Sequence, residues 1–160
     1  MYTVKLQLKF IILILGILFL SVSCNPTHEP KKDTLYHTPL SVGKQLLMVN
    51  LRQTPSEQAK GLSGSLPISD QQGMLFDFTQ NPGLKTFWMK EMLFGLDLIW
   101  IKENKIVGIT PQIPPPKKNT PESELILYPS PEVVDMVLEV NAGWSEENNI
   151  KLGEKIKIVK

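Results

Sequence analysis

From residue 44 onward the chain is a succession of short apolar runs divided by turn-forming residues, with no long stretch of helical spacing. KQLLMVNL (44–51) is a run of β type. In TPSEQAKG, which follows, Thr54 can cap, Pro55 suits the first helical position, Glu57 completes a capping box and Gly61 can end the turn. That predicts a helix of under two turns. GMLFDF (73–78) reads as the next strand and NPG (81–83) as a turn. ENKI (103–106) turns the chain into IVGI, and ELILY (124–128) predicts a short strand. VVDMVLEV (133–140) reads as strand on the weight of its β-branched Val133, Val134, Val137 and Val140. Ser145 can cap a brief helix, and EKIKIV (154–159) alternates as a final strand. About seven or eight short strands with two small helices predict an all-β fold, a compact sandwich or barrel.

One apolar run carries charges. FWMKEMLFGLDLIWI (87–101) holds Lys90, Glu91 and Asp97 among large apolar side chains. Its spacing predicts a hairpin of KTFWMKEM and LDLIWI around a loop ending at Gly95, a residue suited to positive φ. A four-residue loop sets Glu91 opposite Leu96 and Lys90 near Asp97. A three-residue loop sets Glu91 against Asp97, a like-charge contact, so the first register is preferred. Trp88 then shares a face with Lys90, while Phe87 and Met89 point the other way. The second strand is apolar on both faces, as an inner strand would be. Two readings follow. Lys90 and Asp97 form a salt bridge that only sets register, or they and Trp88 form the polar floor of a binding pocket.

Residues 1–23 have the layout of a signal peptide: Lys5 and Lys9, the eleven-residue apolar run FIILILGILFL, then small residues;. That run falls short of the roughly 20 residues a membrane span needs. LSVSC resembles a bacterial lipoprotein signal, which makes Cys24, the one cysteine, a lipidation site. Residues 24–41 read as the lipidated start and a flexible tether, and 42–160 as a single domain. The expected location is the bacterial cell envelope, periplasmic or surface side, held to the membrane by the lipid. Without Lys5 and Lys9 the 17 basic residues fall to 15 against 16 acidic, a net charge of −1, and Arg52 is the one arginine. No nucleic-acid partner is expected. The seven prolines between Pro111 and Pro131 predict a stiff loop crossing between sheet edges;.

GLSGSLPISDQQGMLFDF, FWMKEMLFGLDLIWI and VLEVNAGWSEENNIKLGEKIKI together resemble the domain-of-unknown-function 192 family. Phe87-Trp88-Met89-Lys90 followed by Leu96-Asp97 is the most specific part, and the likeness spans roughly 46–159. The resemblance implies a β fold of jelly-roll type, often on exported proteins, and no established activity.

Elimination narrows the chemistry. Both histidines, His28 and His37, lie in the tether, so the domain has neither His nor Cys. Nucleophilic triads and zinc sites with nitrogen or sulfur ligands are excluded, and no phosphate loop occurs. No metal or cofactor is expected. What remains is a non-catalytic ligand-binding module with Trp88, Lys90, Asp97, Glu139 and Asn141 as candidate contacts, for a carbohydrate or peptide ligand. The alternative is a hydrolase using Asp97 and Glu139 as an acid–base pair. Asn141 suits a turn cap equally well. Trp100 and Trp144 read as packing, and Met74, Met89 and Met92 as core.

Overall fold

A computed structural model describes residues 36–159; the segment read as a signal peptide, Cys24 and most of the segment read as a tether lie outside the described residues. Nine strands occur among them: β1 Thr38–Val42, β2 Gln45–Arg52, β3 Gln72–Asp77, β4 Thr86–Trp88, β5 Leu96–Lys102, β6 Lys105–Ile113, β7 Leu127–Pro129, β8 Met136–Asn141 and β9 Ile156–Ile158. The helices are α1 (Pro55–Lys60) and α2 (Trp144–Glu147), with a 3₁₀ turn at Glu122–Glu124. α1 forms as its capping signals predict. Thr54 Oγ1 accepts from Glu57 N–H, and the Glu57 carboxylate accepts from Thr54 N–H at 3.0 Å.

Seven strands form one sheet in the order β6-β5-β8-β3-β2-β1-β9, antiparallel except for β2 beside β3. A parallel pair needs a crossover, and α1 with residues 61–71 supplies it. The sheet curls into a half-barrel until its two edges meet at one end. There Ile106 N–H donates to Glu154 O, Gly153 N–H to Ile106 O and Ile156 N–H to Asn104 O. Alternation along the strands then makes two cores. Leu40, Val49, Leu75, Ile99, Leu138 and Ile156, drawn from strands all round the sheet, pack with Trp144 inside the curl. Met74, Phe76, Leu98, Trp100 and Val137 face outward and are covered by the crossover and by residues 87–92. β5 is buried on both faces, as its composition predicts.

The expected hairpin is absent. β4 pairs with β7 in a separate two-stranded ribbon, Phe87 opposite Tyr128, while β5 lies between β6 and β8. Residues 89–92 turn sharply, with Glu91 at φ 56° and Met92 N–H on Met89 O. Burial of Met89 and Met92 on the outer core holds that turn, and it lifts β4 off the sheet. Gly95 does not adopt positive φ. Its need for glycine is steric, because a Cβ there would lie 2.9 Å from Ile113 O. β1 begins at Thr38, inside the segment read as tether, since Leu40 and Val42 have apolar partners in the curl.

Candidate functional site

Cross-strand register sets Met74, Glu139 and Leu98 in one row on the outer face of β3, β8 and β5. Glu139 is therefore a carboxyl group in an apolar row, only 5% exposed. Its Oε2 has no hydrogen-bond partner among the described residues. Burial pushes the carboxyl up to about 8, with the nearby Arg52 guanidinium opposing the shift only in part;. At neutral pH this side chain is an acid that keeps its proton.

A cleft of about 350 Å³ opens over it. One wall is the end of α1 and the turn after it, residues 58–63; the other is Lys85 to Trp88, with Phe76 and Phe78 between them. The rings are set against one another. Phe87 meets Phe76 edge-on at 5.0 Å and Trp100 at 5.7 Å, and Phe78 lies 6.5 Å from Phe87. Lys85 Nζ stands 4.3 Å over the Phe78 ring while donating to Asn81 O. Trp88, opposite Leu127 in the ribbon, is 42% exposed and forms the open side. An open aromatic cleft with one neutral, unpartnered acid at its base suits binding of a small molecule.

Lys90 does sit beside the indole, its Nζ 5.4 Å from the Trp88 ring. Its carboxylate partner is Glu122, not Asp97. The hydrogen bond that Lys90 donates to the Glu122 carboxylate holds its ammonium above the ordinary range. Both line a second recess of about 820 Å³ beneath residues 115–120 of the proline-rich loop. Asp97, 0% exposed, lies elsewhere. Its Oδ1 accepts from Gln112 N–H at 2.7 Å and Gly143 N–H at 2.9 Å; its Oδ2 accepts from Ser145 N–H at 2.9 Å and from the Ser145 hydroxyl. Pro111 and Gln112 bulge opposite it, Gln112 at φ 52°. The carboxylate thus caps α2 from another strand, a task the sequence suggested for Ser145. The pairing of Lys90 with Asp97 is overturned, because the hairpin that would create it does not form.

The acid–base pair fails for a related reason. Asp97 is registered with Val140, which faces into the curl, whereas Glu139 faces out. Two carboxyl groups on opposite faces of a sheet cannot flank one bond. Asn141 Nδ2 donates to Ile68 O and Asp70 Oδ1, both at 2.8 Å, tying down the crossover loop. Trp100 and Trp144 are buried, as are Met74, Met89 and Met92. So the structure brings together Trp88 and Glu139 at one cleft and Lys90 at its margin. Sequence reasoning missed Lys85, Phe78 and Glu122, which are distant in sequence or carry no motif. The signals for the cleft were Trp88 and Glu139, the latter a carboxylate in an apolar β run.

Residues 38–158 match the family model DUF192, described as "Uncharacterized ACR". The chain belongs to the DUF192 family. A solved protein of unknown function from Novosphingobium aromaticivorans DSM 12444 is similar at 27% identity and TM-score 0.66, over 74% of this chain and 83% of its own. A "putative transcription regulator" from Sinorhizobium meliloti 1021 is similar at 27% identity and TM-score 0.64, over 75% and 90%. No match was found among curated proteins. Among the described residues of this DUF192 member, no helix is long and apolar enough to cross a membrane, and no three His, Cys, Asp or Glu side chains group to hold a metal ion.

Proposed function

We propose that this protein is a non-catalytic binding module, tethered at the cell envelope through Cys24, that takes a small ligand into the cleft above Glu139. The tether rests on the signal-like start of the chain. The cleft rests on one observation: Glu139, whose buried Oε2 has no hydrogen-bond partner, is among the residues lining an aromatic recess. Leaving a polar atom unpaired in an apolar setting costs roughly 1–3 kcal/mol. A fold that needed only packing at residue 139 would gain from leucine or valine there. Trp88 offers a flat face for stacking, and Lys90 with Glu122 lies just outside to meet the remainder of a larger ligand, a carbohydrate or a peptide.

The test is to probe glycan and peptide arrays with the full chain in detergent micelles, beside its Trp88→Ala variant. Trp88 is partly exposed, so the variant keeps its melting temperature within a few degrees while retention falls at least ten-fold. Equal retention by the two chains, or none by the unaltered one, refutes the reading.

A further inference from the structure

Resting on that reading of the cleft, we infer that its occupant presents an organic cation, an ammonium or quaternary ammonium group, to Glu139 against the rings of Phe78 and Phe87. Two independent observations carry this. The first is the acid. Glu139 Oε2 has no partner, and neither ion pair among the described residues involves it. An uncharged ligand leaves such an acid protonated, whereas a cation supplies the counter-charge that lets it ionise in place.

The second is the rings. A cation is drawn to the negative face of an aromatic ring, and one wall of this cleft already shows it, with Lys85 Nζ over Phe78. Lys90 Nζ over Trp88, outside the cleft, repeats the arrangement. The cleft, at about 350 Å³, has room for a trimethylammonium group and a short chain. The charged groups around Glu139 permit the same occupant. Arg52 of β2 is near enough to oppose its shift but forms no ion pair with it. Lys60 at the end of α1 and Lys85 before β4 line the walls. Met74 and Leu98, its neighbours on β3 and β5, bring no charge. Lys60 is exposed, and Lys85 is already bound to Asn81 O. Their repulsion therefore acts largely through water, where it is weak, while the attraction of Glu139 acts through an apolar surround.

Choline and its uncharged isostere 3,3-dimethylbutan-1-ol test this by calorimetric titration of the full chain in detergent micelles. Choline keeps its charge at every pH, so any pH dependence belongs to the protein. At pH 7 its binding is expected to release about 0.9 proton, read from the change in heat between buffers of different ionisation enthalpy. Affinity rises about ten-fold from pH 7 to pH 9 as Glu139 ceases to hold a proton that the cation must displace. At pH 9 choline outbinds the alcohol by at least ten-fold. Glu139→Gln, which copies the protonated acid in shape, loses the preference for charge and the pH dependence. If that variant does not fold, the proton count on the unaltered chain decides. Equal binding of the two compounds, or choline binding without proton release, overturns the cation and leaves the cleft as a ligand site. Binding of neither also overturns it, and the cleft reading then stands or falls on the Trp88→Ala array comparison.

Discussion

At the scale of single residues, two buried carboxyl groups take opposite roles because of what surrounds them. Asp97 has four donors, three of them backbone amides. Asp97→Ala leaves those amides unpaired within the fold, and a loss of about 3–5 kcal/mol is expected in urea denaturation. Glu139 has a free oxygen and a carboxyl raised from 4.5 to about 8. Between those two values the native chain holds a proton that the unfolded chain has released. Stability from this group is therefore greatest below about pH 4.5 and declines as pH rises to 8, by at most about 1.4 kcal/mol per unit. Urea midpoints at pH 5, 6.5 and 8 should show the decline in the unaltered protein and a flatter profile in Glu139→Gln.

At the scale of elements, close approach decides more than strand propensity does. The end of β6 passes so near the start of β5 that only glycine fits at residue 95, between Ile113 O and the Ala142 methyl. Gly95→Ala is expected to cost about 1–3 kcal/mol, as overpacking does, read as a lowered melting temperature. The β4–β7 ribbon shows where local reading stops. Trp88 and Lys90 share a side, and Phe87 and Met89 turn inward, as the alternation of the sequence predicts. The partner was misjudged, since a hairpin with β5 is the shortest connection available. Burial of Met89 and Met92 outweighed it and sent β4 to β7, some forty residues away in sequence.

At the scale of the molecule, the curled sheet has two loaded faces, one filled by its own strands and one roofed by the crossover, the β4–β7 ribbon and the turn after β4. The cleft occurs where that roof does not close over Glu139. The curl itself is tied at one point, the meeting of residues 104–106 with 153–156. Deleting residues 153–160 would bare the edges of β1 and β6 together with the apolar interior. Aggregation on size-exclusion chromatography is the expected outcome.

The order of apolar and polar residues was enough to establish a β domain, the capped helix α1, the buried strand β5 and the inward and outward sides of most strands. Each depends on propensity or period-two alternation within a few residues, and both are local properties. Which strands became neighbours depended on which side chains won burial, a competition among segments far apart in the chain. It separated Asp97 from Lys90, gave Lys90 to Glu122, and put Trp88, Phe78 and Lys85 around Glu139. A charge in an apolar run can be noticed in one dimension, but whether donors surround it or none does is settled only by packing.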